Sequence, residues 1–355
     1  MDMETLLVDS LGLEQVESVL DQSFARSKAR AALLGPSYLH LWETLETCAA
    51  GGKRFRPRMV MTAYDSLSGA DRATAAVVAA SFEMLHTALI VHDDVIDRDF
   101  VRRGIPNVSG SYRQLADTAG HTSDEAVHRG LSMGVIAGDL ALSSAHRLLD
   151  GVRTDLATRG RLGELLDDAV FASAAGELLD VDASSSATTT PQDTLQMARL
   201  KTAVYSFESP LKAGAVLAGA DEIIIDTLGD FGRDVGIAYQ IADDILGVFG
   251  DEKTTGKTTW GDLREGKRTC LITYVAQRPE WWGQISALVG SADLSADGAD
   301  QIRRVLTSSG ALDHAVSLAT AHARQALLQL DHPHVPAQLK AALTPVATAV
   351  LERVR

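Results

Sequence analysis

The sequence predicts an all-α protein, and three observations support this fold class. Ala, Leu and Val dominate the apolar positions, whereas aromatic residues make up only 5% of the chain, a composition that favours helices over β-sandwiches. Apolar residues recur at the spacing of helix faces over long stretches. Glycine and proline, which end helices, bound those stretches. Because the 355 residues contain no convincing linker, we expect a single domain, residues 1–355.

Glycine and proline divide the chain into successive amphipathic helices. We expect a loop-rich segment from Gly104 to about His128 and a small-residue loop from Ala183 to Pro191. The Thr190-Pro191 end of that loop is typical of a helix start. The predicted helices extend approximately over residues 13–34, 39–50, 79–97, 134–149, 161–180 and 223–246, with further amphipathic helices to the end of the chain.

Composition also limits the classes of function. The net charge of −14 argues against a nucleic-acid or anionic-membrane surface. Cys48 and Cys270 lack the spacing of a zinc site or a disulfide framework. The acidic N-terminus is not followed by a signal-peptide core, and no charge-free apolar run reaches the roughly 18 residues of a membrane-spanning helix. We therefore expect a cytoplasmic protein with no nucleic-acid partner and no stable membrane insertion.

Three aspartates lie at the predicted end of the helix that spans residues 79–97: Asp93, Asp94 and Asp97. Helix C-termini carry partial negative charge, so each acid there costs about 0.3–1 kcal/mol. Asp93 and Asp97 also share one helix face as like charges. A divalent cation such as Mg²⁺, which binds carboxylate oxygens together with substrate phosphates, would relieve both costs. The alternative is a solvated helix end that forms salt bridges with the arginines following it.

A second adjacent pair, Asp243 and Asp244, lies near a predicted helix end, with Gly247 and Gly250 as the stop signals. The segment behind it is rich in glycine and lysine, and it contains Lys257 and Lys267. This composition is expected of a lid over phosphates. The acidic pairs could therefore clamp one diphosphate through several Mg²⁺ ions. Additional support for the same diphosphate would come from Lys201, Gln240 and Lys257.

Cations cluster in Gly51–Arg58, directly before an apolar run. Glycine lets a backbone approach phosphate closely, arginine offers two parallel donors, and a helix start supplies free N–H groups. A basic run alone is more often a solvated surface, but its position before a buried helix favours an anion site. A diphosphate site without metal could be formed by Lys53, Arg56, His86 and Arg103.

Taken together, these motifs resemble the trans-type isoprenyl diphosphate synthases, or polyprenyl synthetase family, and most of all bacterial geranylgeranyl diphosphate synthases. The resemblance spans roughly residues 51–269, and the order and spacing of the motifs agree. The matching segments are Gly51–Pro57, Asp93–Asp97, Arg102–Gly104, Gly138-Asp139, Lys201-Thr202, Gln240–Asp244 and Gly266–Thr269.

The resemblance implies an all-α bundle around an elongated central cavity, a homodimer, and Mg²⁺, with three ions per active site. It implies that an allylic diphosphate (dimethylallyl, geranyl or farnesyl) condenses with isopentenyl diphosphate. The metal ligands would be Asp93, Asp94, Asp97 and Asp243, near Asp244. The other residues around the allylic diphosphate would be Arg102, Lys201, Thr202, Gln240, Lys257 and Lys267. Isopentenyl diphosphate would be held by Lys53, Arg56, His86 and Arg103.

Two positions depart from the family pattern. The second acidic motif commonly ends in a third aspartate, where this chain has Gly247, so one metal contact there would be supplied by water or the site would be looser. Trp260 stands where glycine is common, which bears on the conformation of the lid. Some bacterial geranylgeranyl diphosphate synthases look similar at the Gly247 position, so the change does not predict inactivity.

Residues upstream of the first acidic motif are expected to set product length. Ala88 and Leu89 carry no aromatic ring that would close the slot at fifteen carbons. Met84, about one helical turn of 5.4 Å further back, would be a flexible floor. This favours a twenty-carbon product, with farnesyl or geranylfarnesyl diphosphate as alternatives, and ordinary helix packing is the alternative role for Ala88.

Two other functions compete with the synthase. A class I terpene cyclase would also use an acidic helix end with Mg²⁺, but it has no second diphosphate to bind with the Gly51–Pro57 cations. A non-catalytic partner subunit would have no physical reason to keep both acidic motifs and the lysines at positions 201, 257 and 267.

Overall fold

The computed structural model describes residues 10–185, 189–250 and 259–353. These residues form helices joined by short loops, with one two-stranded antiparallel hairpin. The predicted all-α fold class is therefore confirmed. The described residues divide into two compact units, so the expectation of a single domain stays a prediction.

The N-terminal unit contains the described residues of 8–167 and 213–220. Its elements are α1 (Ser10–Ala32), α2 (Pro36–Ala49), α3 (Phe55–Ser66), α4 (Arg72–Ile96), β1 (Val101–Arg102), β2 (Ile105–Pro106), α5 (Val108–Thr118) and α6 (Ser123–Asp150). Helix α4 packs against α1, α3 and α6. The first acidic motif lies at its end, as the sequence predicted.

Helix α4 is long and apolar enough to span a membrane by length and composition alone, although Glu83 interrupts its apolar run. However, 72% of its apolar window is buried inside the protein. Phe82 and Leu85, for example, have no exposed surface. This burial is the pattern of a core helix.

The loop-rich segment expected from Gly104 to His128 contains helix α5 instead. Asn107 caps this helix by accepting a hydrogen bond from the Gly110 N–H at 2.8 Å. A Cβ atom at Gly110 would lie 1.9 Å from the carbonyl oxygen of Phe100. Gly110 therefore allows close packing inside a helix, a role that its residue type alone does not distinguish from a turn.

Three glycines spaced by four residues let α6 lie close to its neighbours. A Cβ at Gly130 would meet the Ser109 carbonyl at 2.4 Å, one at Gly134 would meet Val95 at 2.4 Å, and one at Gly138 would meet His92 at 2.2 Å. The acidic end of α4 is thereby packed directly against α6. Next to Gly138, the Asp139 carboxylate lies 3.4 Å from Nε2 of His92.

The C-terminal unit contains the described residues of 168–212 and 221–355. Its elements are α7 (Leu156–Ser185, from residue 168), α8 (Pro191–Ala198), the π-helical segment (Arg199–Glu208), α9 (Ser209–Leu217, to residue 212), α10 (Glu222–Phe249), α11 (Gly261–Glu265), α12 (Cys270–Ala276), α13 (Pro279–Ile285), α14 (Ala296–Ser308), α15 (Ala311–Gln329) and α16 (Ala337–Arg353). Helix α10 packs against the π-helical segment and α15.

Two helix boundaries in this unit can be compared with those predicted from the sequence. Helix α8 begins at Pro191 after a capping box formed by Thr190 and Asp193, as predicted. Helix α10 continues past Gly247 to Phe249 and has Gly250, the second of the two predicted stop residues, as its C-cap. One glycine in a helix costs only about 1 kcal/mol, so Gly247 does not stop a helix with a buried apolar face.

Candidate functional site

Arg102 forms salt bridges with two carboxylates of the first acidic motif. Arg102 donates from Nε and Nη2 to Asp94 Oδ1 at 2.9 and 2.6 Å, and its Nη2 lies 3.4 Å from Asp93 Oδ2. Burial raises the pKa of Asp94 to about 6, the Asp93 and Asp99 carboxylates add to the rise, and Arg102 opposes it. The salt-bridge alternative from the sequence is thus present at Asp93 and Asp94, and the neighbouring carboxylates still repel one another.

These carboxylates suit Mg²⁺ in their donor chemistry. Among the described residues, no three His, Cys, Asp or Glu side chains form a ready metal cluster. Mg²⁺ does not need such a cage, because it is usually bound by one or two carboxylates together with substrate phosphates and water. Asp93, Asp94 and Asp97, the last at the C-cap of α4, supply oxygen ligands of this kind. The motif therefore fits a metal ion that arrives with a phosphate.

The cationic segment has an unusual backbone. Gly51 and Gly52 have φ values of 71° and 83°, and Arg54 has a φ of 48° in the left-handed region. Such conformations in a residue other than glycine cost about 1–3 kcal/mol and cluster at binding sites. Helix α3 begins directly after this turn, so Lys53 and Arg56 lie at a helix N-terminus, where anions bind favourably.

Arg103 lies at the turn of the hairpin. Val101 pairs with Pro106 and Arg102 with Ile105, and the two turn residues, Arg103 and Gly104, have φ values of 53° and 76°. Positive φ at both positions defines a type I′ turn, which favours Asn, Asp or Gly. An arginine there is a strained choice that indicates a function for its side chain.

Two arginines of the predicted metal-free site, Arg56 and Arg103, lie near His86. A Cβ atom at Gly52 would lie 3.1 Å from Nη2 of Arg103, so the Arg103 guanidinium approaches the glycine turn. Burial lowers the pKa of His86 well below its ordinary value, and the charges of Arg56, Arg102 and Arg103 contribute. The lowered pKa keeps His86 neutral at pH 7.

In the C-terminal unit, a chain of hydrogen bonds reaches the second acidic motif. Thr202 Oγ1 donates to Gln240 Oε1 at 2.6 Å, and Gln240 Nε2 donates to Asp244 Oδ1 at 2.8 Å. The structure thus joins three predicted site residues. Burial raises the pKa of Asp244 well above its ordinary value; the Gln240 hydrogen bond opposes the rise, and the Asp262 carboxylate adds to it.

Lys201 is bound by two acids of α7. Its Nζ lies 2.6 Å from Asp180 and 2.9 Å from Glu177. The π-helical segment carries Lys201, and π-helical turns occur frequently at functional sites. A Cβ at Gly236 of α10 would lie 2.5 Å from the Ala203 Cβ, and one at Gly176 of α7 would lie 2.4 Å from the Lys201 backbone nitrogen.

Gly176→Ala is therefore expected to destabilise the protein by about 1–3 kcal/mol, because the new methyl group meets backbone that cannot rotate away. The free energy of unfolding in urea measures this change. The matched control is Gly163→Ala on the same helix, where a Cβ meets nothing within 4 Å; it should stabilise by about 0.5–1 kcal/mol. Equal effects of the two substitutions would contradict the close approach at Gly176.

Two residues that the sequence analysis did not select lie at the second acidic motif. Arg353, near the chain end, donates to Asp243 Oδ1 at 3.1 Å and lies over the Tyr239 ring at 4.8 Å. A Cβ at Gly247 would lie 2.7 Å from Asp262 Oδ2. The Asp262 carboxylate thus occupies the space beside Gly247. Position 247 is the one at which the family commonly has a third aspartate. The motif Gly261-Asp262 was visible in the sequence, but nothing there linked it to Gly247.

The remaining predicted residues are placed as follows. Lys267 pairs with Glu265 at 3.1 Å and with Asp262 at 3.9 Å. Trp260 has a φ of −144°, so this backbone does not require glycine. Lys257 lies outside the described residues. The chain-length candidates all lie on α4: Met84 and Ala88 are buried, and Leu89 is partly exposed.

Comparisons with known proteins agree with the motifs. The family model described as polyprenyl synthetase matches residues 40–305. A geranylfarnesyl diphosphate synthase from Aeropyrum pernix is 33% identical over 319 residues, which cover 88% of this chain and 93% of that protein.

Two solved structures are similar along nearly the whole chain. The geranylgeranyl pyrophosphate synthase from Corynebacterium glutamicum, complexed with isoprenyl diphosphate and magnesium, has a TM-score of 0.89 and 29% identity, over 99% of this chain and 100% of that chain. The polyprenyl synthase from Caulobacter crescentus CB15, complexed with calcium and isoprenyl diphosphate, has a TM-score of 0.77 and 30% identity, over 99% and 98%.

Proposed function

This chain belongs to the polyprenyl synthetase family and is a prenyltransferase, and we propose that it condenses isopentenyl diphosphate with an allylic diphosphate to make geranylgeranyl diphosphate. The observation that carries the proposal is the approach of the Arg103 guanidinium to the glycine turn at Gly52, with Arg56 and His86 nearby, in a chain that also has two acidic motifs. A diphosphate bound by cations alone and one bound through metal are chemically unequal, as the two substrates of this condensation must be.

In the proposed reaction, the acidic motifs bind the allylic diphosphate, with Asp93, Asp94, Asp97 and Asp243 as metal ligands. Three Mg²⁺ ions, when bound, neutralise the departing diphosphate. Lys201, Lys257 and Lys267 donate to the same group. The Thr202–Gln240–Asp244 hydrogen bonds fix the orientation of the Asp244 carboxylate.

The metal-free site orients the second substrate. Lys53, Arg56, His86 and Arg103 would hold isopentenyl diphosphate so that its double bond attacks the allylic cation left by ionisation. Loss of a proton then completes a chain that is one isoprene unit longer, and the released diphosphate can accept this proton. Preorganised charges of this kind stabilise a developing anion without reorganisation during the reaction.

The proposal extends to the assembly and its location. We propose a homodimer in the cytoplasm. The support for association is an exposed apolar stripe on α7, where Phe171, Leu178 and Val181 are 78%, 62% and 47% exposed. Apolar side chains that are exposed along one helix face mark an interaction surface.

The test is incubation of the purified chain with farnesyl diphosphate and Mg²⁺, with and without labelled isopentenyl diphosphate. We expect labelled geranylgeranyl diphosphate only when both substrates are present. A hydrocarbon released without isopentenyl diphosphate would identify a terpene cyclase. A chain that is inactive alone but alters an active synthase would be a regulatory subunit.

A further inference from the structure

The basic segment contains one arginine whose side chain faces the protein interior. The side chain of Arg54 is only 9% exposed. Its Nε and Nη2 donate to the two carboxylate oxygens of Glu17 at 2.5 and 3.0 Å. Its Nη1 donates to Glu83 Oε1 at 2.9 Å and to the Ala49 carbonyl at 2.9 Å. All three guanidinium nitrogens are therefore used within the protein, and none is aimed at a ligand.

These partners tie the segment to three helices. Glu17 lies on α1, Ala49 is the last residue of α2, and Glu83 lies on α4 one turn before His86. Glu83 is itself buried, and its Oε2 has no hydrogen-bond partner in the described part of the chain. Its charge therefore depends on Arg54, because an unpaired buried carboxylate is strongly unfavourable.

We propose that Arg54 is a positioning residue for the metal-free diphosphate site, a role that rests on the proposed function. By anchoring the left-handed turn at Arg54 (φ 48°) to Glu83, it holds Lys53 and Arg56 in register with His86 on the same α4 helix. It does not bind the diphosphate itself. Binding groups need such support, because a displacement of about 1 Å can cost up to roughly 10²-fold in rate.

The test separates positioning from stability. Arg54→Met should raise KM for isopentenyl diphosphate at least about tenfold, with little change in KM for the allylic diphosphate, and should lower Tm. Glu83→Leu should also raise KM for isopentenyl diphosphate. The double variant replaces both charges with apolar groups of similar volume, so Tm should recover while KM stays raised.

Two outcomes would overturn the proposal. If KM recovers together with Tm in the double variant, Arg54 serves stability only. If Arg54→Met raises KM but Glu83→Leu does not, Arg54 contacts the diphosphate directly. The matched control is Arg72→Met, which breaks an ion pair with Asp65 of 2.8 Å at the start of α4 and should leave both KM values unchanged.

A binding measurement distinguishes failure of this inference from failure of the proposed function. Calorimetric titration with isopentenyl diphosphate in EDTA reports the metal-free site without turnover. Retained binding by the wild type and weakened binding by Arg54→Met supports the positioning role even if no prenyl product is formed. Equal affinities of the wild type and Arg54→Met would overturn the positioning role even if the synthase activity is present.

Discussion

Asp93→Ala lowers turnover by about 10³-fold, the upper range for loss of one preorganised electrostatic group. The Asp93 carboxylate lies beside buried Asp94 and touches Arg102 at 3.4 Å, so its loss removes an oxygen ligand from the first acidic motif. The fold should stay intact or become slightly more stable. Removing a negative charge at the C-terminus of α4 is favourable by about 0.3–1 kcal/mol, and Arg102 keeps Asp94 as its partner.

Steady-state turnover and an Mg²⁺ titration test the role of Asp93 as a metal ligand, and Tm tests its effect on the fold. The matched control is Asp99→Ala, which removes an exposed acid two residues beyond the motif and should change turnover only a few-fold. A nearly unchanged rate in Asp93→Ala would refute its role as a metal ligand. A collapse of Tm would instead show that the carboxylate is structural.

The second large effect is expected at Ala88, where a phenylalanine should shift the product from twenty to fifteen carbons. Ala88 is buried on α4, five residues before Asp93 and on the same face as Met84. A ring at this position would close the proposed slot for the growing chain, about one turn (5.4 Å) above Met84, its proposed floor. Chromatography of the products made from each allylic starter measures the chain lengths.

Overpacking needs its own control, because a ring inserted into a filled core costs about 1–3 kcal/mol wherever it is placed. Ala76→Phe provides it: Ala76 is fully buried on α4, twelve residues before Ala88, about 18 Å along the helix. It should lower Tm without changing the product. If Ala88→Phe lowers Tm and leaves the product distribution unchanged, Ala88 is an ordinary packing residue.

The α-helices and the positions of the motifs on them were predictable from the sequence, because both depend on local patterns. The apolar period and the Gly-Pro boundary located α1 and α2, and the misplaced acids located the end of α4. Gly110 and Gly247 were ambiguous in the sequence, because glycine marks both turns and close helix packing. Only the three-dimensional contacts, at the Phe100 carbonyl and the Asp262 carboxylate respectively, distinguish the two roles.

Side-chain partners between distant segments were not predictable. In the sequence, Arg54 is indistinguishable from the phosphate-binding cations of its basic run. In the structure, it is buried against Glu17 and Glu83. Arg353 lies 110 residues from its partner Asp243, and no local pattern connects them. Long-range ion pairs depend on how helices pack, and the sequence period specifies which face is buried but not which charges meet.

The central claim is that the acidic motifs bind the allylic diphosphate through Mg²⁺. The most direct measurement follows incorporation of labelled isopentenyl diphosphate as Mg²⁺ is titrated into metal-free wild-type, Asp93→Ala and Asp243→Ala proteins. The account predicts no incorporation by the wild type in excess EDTA, full recovery with Mg²⁺, and a higher Mg²⁺ requirement in both variants. Undiminished incorporation by the wild type in EDTA would contradict it.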